Sequence, residues 1–252
     1  MSKSKVFIGG LVLLWFGAGV ATRVQAAELC KTATPQTLIA WYNKTHPRQS
    51  LRYDAKNSAI YHPIAMFRTS VPHLTWIGLG WLSPIWGAVF ATDCSGNPLA
   101  AVSDGAVGKL AAGPTLPQTG QTVRVEYADK ETPACVHDSV ELLAFKHNRI
   151  ARLWQHELKQ GMNVMHGKTG FRGFVTRNYR VQFLDDGRTL KLTGQLTAYP
   201  ELKNGRQSGT PSATKTLPTE IYQWNAKKLR FVPQANYPRY KACVTPDWPT
   251  QK

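Results

Sequence analysis

The chain has 252 residues, and its 31 lysines and arginines against 15 aspartates and glutamates give a formal net charge of +16. A chain of this length can bury a hydrophobic core, and it suffices for one large domain or two small ones. Abundant proline, glycine and aromatic residues indicate β structure with many turns. The positive charge favours an acidic partner.

The N-terminus has the pattern of a secretory signal peptide. Lys3 and Lys5 precede an uncharged apolar run over 6–20, and small residues follow at Val24 and Ala26. Signal peptidase recognises this order of positive start, apolar run and small residues. We therefore predict a signal peptide over 1–26 and a periplasmic or secreted protein. The alternative is an uncleaved N-terminal anchor, although the apolar run is short for a membrane span.

Four cysteines follow the predicted signal peptide: Cys30, Cys94, Cys135 and Cys243. An even number of cysteines in an exported chain predicts two disulfides. Three pairings are open. We favour Cys94–Cys135 with Cys30–Cys243, because the second bridge would close a very long loop. No Cys-x-x-Cys occurs, so the spacing typical of redox and zinc-ribbon sites is missing.

A short helix is predicted over 34–44. Thr34 can accept a hydrogen bond from the first unpaired amides, and Pro35 suits the first helical position. Leu38 and Tyr42 are four residues apart, so they would lie on one face of the helix and dock on the core.

The segment 70–92 carries no charge and is rich in aromatic residues and glycine. Its length would allow a membrane-spanning helix, but a proline near its middle and many β-branched and aromatic residues favour two buried strands, 74–82 and 85–92. Gly78 and Gly80 alternate with large residues. One face of the first strand would therefore be nearly bare, which permits close contact with a backbone or an aromatic ring.

Residues 108–120 contain three glycines, two prolines and few apolar anchors. This composition predicts a linker between an N-terminal β-rich half, 27–107, and a C-terminal half of β-hairpins, 121–252. The alternative is that both halves form one continuous domain.

Residues 139–160 allow two interpretations. They contain neither glycine nor proline, which permits a helix and would make the fold α+β. His147-Asn148 instead suits a hairpin turn between strands 139–146 and 149–158. We favour the hairpin, because clear hairpins follow it in the sequence.

Two later hairpins define the fold class. Alternating residues at 179–183 and 189–193 flank the turn signal at 185–187, and a similar pair occupies 221–224 and 229–232. The predicted fold is mainly β, made of antiparallel hairpins in a sandwich or a partly open barrel, with one short N-terminal helix.

Met162, Met165 and His166 form a candidate metal site. Thioether and imidazole ligands together favour Cu(I), so copper is the one cofactor that the sequence suggests. The competing interpretation is that the methionines fill gaps under a glycine-rich loop and His166 is exposed. The other histidines are dispersed and no His-Glu-x-x-His occurs, so the pattern of a zinc enzyme is missing.

Basic residues are concentrated between 146 and 191, where they far outnumber acidic ones. We expect a binding face formed by Arg149, Arg152, Lys168, Arg172, Arg177 and Arg180. Its partner would be an acidic protein, an acidic glycan or a lipid head group, with contact to a membrane surface. Nucleic acid is a less natural partner outside the cytosol. The competing interpretation is an ordinary solvated basic surface.

These patterns predict an exported, non-catalytic binding or accessory protein that recognises an acidic partner. Two alternatives remain open. One is an extracytoplasmic copper-binding protein, and the other is an enzyme whose residues meet only in the folded chain, because catalytic residues need not be adjacent in sequence.

Overall fold

The computed structural model describes residues 33–47, 65–71, 73–82, 85–132, 135–164, 172–202 and 206–237. Most of these residues lie in antiparallel strands, and a single short α-helix precedes them, so the predicted fold class is confirmed. The elements are α1 Pro35–Thr45, β1 Ala65–Val71, β2 Leu74–Leu82, β3 Ile85–Thr92, β4 Pro98–Asp104, β5 Ala106–Leu116, β6 Gly120–Thr132, β7 Cys135–Lys146, β8 Arg149–Val164, β9 Gly173–Leu184, β10 Thr189–Pro200, β11 Ala213–Thr216, β12 Glu220–Asn225 and β13 Arg230–Pro233.

Helix α1 begins and ends as its sequence predicts. The backbone N–H of Thr37 donates to the Thr34 hydroxyl oxygen at 3.3 Å, which caps the first turn. The helix stops at His46, whose N–H donates to the carbonyl of Tyr42. Leu38 and Tyr42 are buried, and they pack on the first sheet.

The first sheet contains β1, β2, β3 and β4 in that order, each antiparallel to the next. The strands predicted at 74–82 and 85–92 are confirmed as β2 and β3. Alternation along β2 divides its side chains between two layers: Ile77 and Leu79 pack towards α1, while Trp76 packs towards the second sheet.

The bare face of β2 allows the second sheet to approach closely. A methyl group added at Gly80 would lie 2.8 Å from the carbonyl oxygen of Val107, and one at Gly78 would lie 2.6 Å from side-chain atoms of Val107 and Leu110. Val107 and Leu110 belong to β5, so β5 crosses directly over the glycines. This is the close backbone approach that the alternating glycines predict.

The second sheet has the order β13-β12-β10-β9-β8-β7-β6-β5, and β11 pairs with β10. Its β5–β7 part covers the first sheet through a core that includes Val123, Val125 and Leu143. Leu142 of β7 also belongs to a separate core, which it forms with residues of the later strands that include Leu190 and Leu192. The molecule therefore has a helix, a small sheet and a large sheet in successive layers.

The prediction of a linker over 108–120 is wrong. Most of these residues form β5 and the turn into β6. The glycines and prolines that suggested a linker fit a strand here, since the pairing of β5 with β6 shifts register after Val107 and again after Ala112. Such irregularities accommodate residues that a regular ladder disfavours. Val107 and Leu116 anchor the strand by burial.

The hairpin over 139–158 is confirmed, and the alternative helix is wrong. β7 and β8 pair antiparallel, from Cys135 opposite Met162 to Lys146 opposite Arg149. His147 and Asn148 both have positive φ, 50° and 57°, as a two-residue hairpin turn of the preferred twist requires. The hairpins predicted around 185–187 and before β13 are present as well.

The described cysteines lie in different surroundings. Cys94 is exposed in the turn after β3, and Cys135 is buried at the start of β7. No disulfide joins these two residues, so the predicted Cys94–Cys135 bridge is not confirmed. Cys30 and Cys243 lie outside the described residues, and their predicted bridge stays a prediction.

The predicted signal peptide also lies outside the described residues. Over the part of the chain that the structure describes, no helix is both long and apolar enough to cross a membrane.

Candidate functional site

A cavity of about 730 Å³ lies where the large sheet divides. β8 pairs with β9 only from Lys159 to Val164, opposite Asn178 to Gly173. The earlier part of β8 keeps β7 as its partner on one side, and β13 packs near its other side. The cavity occupies this gap, and its walls come from β7, β8, β9, β12, β13 and the segment 235–237.

An irregularity in β8 sets which side chains face this region. Asp138 pairs with Lys159, but Ser139 pairs with Glu157, so Leu158 is an extra residue in β8. In a regular strand, residues three positions apart point to opposite faces. The bulge changes this alternation. Glu157 and Gln160 consequently both contact the guanidinium group of Arg177.

The central polar group of the cavity is the carboxylate of Glu220, which is only 4% exposed. The hydroxyl of Tyr222 donates to its Oε2 at 2.7 Å, and Nε2 of His156 lies 3.3 Å from the same oxygen. Burial raises the pKa of Glu220, but the hydrogen bonds from His156 and Tyr222 and the charge of His156 together outweigh burial and hold this pKa below its ordinary value.

The imidazole of His156 is engaged at both nitrogens. Its Nδ1 lies 2.7 Å from the backbone carbonyl oxygen of Glu157, and its Nε2 faces Glu220. A protonated imidazole can donate to both acceptors. Each ring nitrogen of His156 therefore faces an oxygen atom within the protein.

Aromatic rings form part of the remaining wall. Trp154 stacks on His156 with ring centroids 5.7 Å apart and an angle of 11°. Tyr222 meets Trp154 edge-on at 74°, and Tyr237 is tilted by 44° relative to Tyr222. The hydroxyl of Tyr237 also bonds the backbone N–H and carbonyl of Ile221. This pair of bonds ties the segment after β13 to β12, so one cavity wall is fixed in place.

A second charged cluster adjoins the first. Arg177 is 3% exposed, and its Nη1 donates to Gln160 at 2.8 Å and lies 3.5 Å from Glu157. Nε2 of His137 lies 3.3 Å from the other carboxylate oxygen of Glu157. Glu157 therefore has a cationic partner on β9 and a histidine on β7, which offsets the cost of its partial burial.

The basic residues of the predicted binding face have different locations. Arg152 lines the cavity, and its Nε lies 2.6 Å from the buried carboxylate of Glu141. Arg172 forms an ion pair with Glu201, also at 2.6 Å. Arg149 and Arg180 are exposed, on β8 and β9, and Lys168 lies outside the described residues.

Arg177 requires a correction as a surface-binding residue. It is buried and bonded within the sheet, so it cannot contact an external partner in this conformation. Its odd-numbered position on β9 places it with Val175 and Tyr179, which are core residues. The other members of the predicted face remain predictions as binding residues.

The copper hypothesis has one described member. Met162 lies on β8 between Cys135 and Val175, half-buried. Met165 and His166 lie outside the described residues, so their approach to Met162 stays a prediction. Among the residues that the structure does describe, no three His, Cys, Asp or Glu side chains form a group that could hold a metal ion.

Apart from Arg152, the residues that line the cavity were not predicted from the sequence. A signal for them exists in the strands, where Trp154 and His156, like Glu220 and Tyr222, are two residues apart and can share a face. Nothing in the sequence indicates that the two pairs meet, because they lie on strands that are far apart in the chain.

No protein-family model matches the chain, and a search of curated proteins finds no match. The chemistry of the cavity is therefore the basis for assigning a function.

Proposed function

We propose that this chain is an extracytoplasmic, non-catalytic binding protein that takes an acidic ligand into the cavity between β8 and β13. The observation that carries the proposal is the lining of the cavity, where the guanidinium groups of Arg152 and Arg230 meet a wall of aromatic rings. Pockets of about 300–1,000 Å³ with mostly apolar walls and a few placed polar groups are typical of small-ligand sites.

The charge balance of the cavity favours an anion. Both carboxylates in the wall have cationic or histidine partners: Glu220 contacts His156, and Glu157 contacts Arg177 and His137. Arg230 is exposed, and no acidic side chain of the described residues forms an ion pair with it. A ligand carboxylate, sulfate or phosphate could therefore pair with this guanidinium through two parallel hydrogen bonds.

The engagement of His156 supports binding over catalysis. A histidine that acts as a general base needs a nitrogen within hydrogen-bond reach of the substrate. Both nitrogens of His156 already face acceptors within the protein. The role that fits these contacts is to fix Glu220 and Tyr222 in the cavity wall.

The location outside the cytosol rests on the N-terminal sequence. The positive start, the apolar run and the small residues before Ala27 support export. Acidic glycans and lipid head groups are anionic partners available to a protein in that compartment.

We expect Arg230→Gln to weaken binding to immobilised heparin by about tenfold or more, because a hydrogen-bonded charge pair contributes roughly 1.5–3 kcal/mol. Surface plasmon resonance at constant ionic strength would measure the affinity. The matched control is Arg188→Gln, which removes the same charge from an exposed arginine that does not line the cavity. Equal losses in the two variants would show that only net charge matters, and this would overturn the proposal.

A further inference from the structure

We infer that the ligand of the cavity is a short acidic saccharide, one or a few sugar rings long. This inference rests on the proposed function and adds the chemical class of the ligand. It is carried by the angles between the aromatic rings and by the amide groups placed between them.

The ring geometry disfavours a flat aromatic ligand. A planar ring is held best between two parallel rings with a gap between them. Trp154 and His156 are nearly parallel, but their centroids are only 5.7 Å apart, which leaves no room for another ring between them. Tyr222 is tilted by 74° from Trp154 and by 44° from Tyr237, so it is parallel to neither ring and the wall is angled at Tyr222. An angled wall can contact the C–H faces of a puckered sugar ring.

Polar side chains lie among the rings. Gln155 and Asn236 line the cavity and are exposed. Neither amide group forms a side-chain hydrogen bond with another of the described residues. Each amide offers two donor hydrogens and a carbonyl acceptor, which is what vicinal sugar hydroxyls need. The hydroxyl of Ser139 adds another polar group to the lining.

The other acidic partners fit this cavity less well. A protein partner usually buries about 800 Å² on each side, which calls for a broad surface, whereas this lining is concave. A lipid chain would need an apolar channel, whereas the cavity wall carries Glu157, His156 and Glu220. A saccharide with a carboxylate or sulfate can contact the rings, form hydrogen bonds with the amides and pair with Arg230 at the same time.

The test is isothermal titration of the purified protein with a sulfated, uronate-containing disaccharide prepared from heparin, and with inorganic sulfate. We expect the disaccharide to bind at least tenfold more tightly than sulfate. Replacing Tyr237→Leu should weaken the disaccharide about five- to tenfold and leave sulfate binding unchanged. Tyr237→Phe is the matched control, because both variants lose the hydroxyl bonds to Ile221 but only the leucine variant loses the ring.

The outcomes separate this inference from the proposed function. Equal affinity for disaccharide and sulfate, with both dependent on Arg230, would overturn the saccharide and leave an anion site. Binding of a desulfated, carboxyl-reduced disaccharide as tight as that of the acidic one would overturn the acidic part of both proposals. Thermal unfolding of each variant checks folding. If Tyr237→Leu does not fold, the comparison of disaccharide with sulfate on the unaltered chain decides by itself.

Discussion

Glu220 is the residue whose carboxylate connects the polar side chains of the cavity wall. It accepts from Tyr222 and contacts His156, and both of these side chains also form part of the aromatic wall. Loss of this one acceptor would leave a buried hydroxyl and a histidine without their partner. Glu220 therefore links the charge of the site to the positions of its rings.

We expect Glu220→Gln to lower the free energy of unfolding by about 1–3 kcal/mol at neutral pH. The pKa of Glu220 is depressed in the folded chain, so the carboxylate adds stability above its ordinary pKa of 4.5 and loses it as the pH falls through the folded value. The difference between the two proteins should therefore shrink as the pH falls below 4.5. Urea unfolding at several pH values would measure it.

The control for this change is Glu126→Gln. Glu126 is half-exposed and pairs with Arg124 at 2.8 Å, so its removal should cost no more than about 1 kcal/mol. A Glu220→Gln effect that stays constant from about pH 7 to pH 3 would contradict the prediction, because a depressed carboxyl pKa requires pH dependence.

Few of the individual residues of the candidate site were predicted from the sequence. Arg152 was expected to bind, and it lines the cavity, but Arg177 was expected on the surface and is buried. Spacing alone could not reveal this, because the burial of Arg177 depends on Gln160 and Glu157 of the neighbouring strand. A bulge brings those two residues together, and a single sequence does not locate it.

Among the elements, the glycine-containing strand β2 decides how closely the two sheets approach. Ile77 and Leu79 pack towards α1 on one side, and on the other side Gly78 and Gly80 let β5 cross over the strand. The contact at Gly80 is with the backbone of Val107, which cannot move aside as a flexible side chain can.

We expect Gly80→Ala to destabilise the protein by about 1–3 kcal/mol, because the added methyl group would lie 2.8 Å from a backbone carbonyl oxygen. Urea or thermal unfolding would measure the loss. Gly209→Ala is the control, since a methyl group there has no neighbour within 4 Å, and it should be neutral or slightly stabilising. Similar effects at both positions would show that the sheets do not pack closely at Gly80.

The strands themselves were largely predictable. Those at 74–82 and 85–92 and the later hairpins follow from alternation and turn residues, which are local properties of the chain. The linker over 108–120 was predicted wrongly because contacts distant in the sequence decide its structure. Its glycines and prolines indicate a turn locally, but pairing with β6 and packing on the first sheet make it β5.

The molecule as a whole joins a small sheet and a large sheet, and the large sheet divides between β8 and β9 to form the cavity. One half of the large sheet covers the first sheet, while the other half folds back so that β13 packs near β8. The predicted export and disulfide formation concern the molecule at the same scale, because they would act on the whole chain.

We expect the protein purified from its natural source to begin at Ala27 and to contain no thiol that reacts with an alkylating agent before reduction. The reasons are the signal-peptide pattern and the even number of cysteines in an exported chain. Mass spectrometry of the intact protein and of its unreduced peptides would measure both properties. The unreduced peptides would also show which cysteines pair, because the structure does not join Cys94 to Cys135.

A chain that retains Met1 and alkylates at all four cysteines would contradict export and oxidation together. Reduction of the native protein is the control. If each disulfide closes a loop in the unfolded chain, its loss should lower the free energy of unfolding by about 2–4 kcal/mol.

The sequence by itself determined the class of fold, the helix α1, most of the strands and their turns, because these depend on spacing and on residues close together in the chain. Only the tertiary structure decided where charges and rings meet. Glu220 reaches His156, and Arg177 reaches Glu157, because strands curl and a bulge changes the alternation of side chains. Such contacts depend on three-dimensional register and twist, which the order of residues in one sequence does not display.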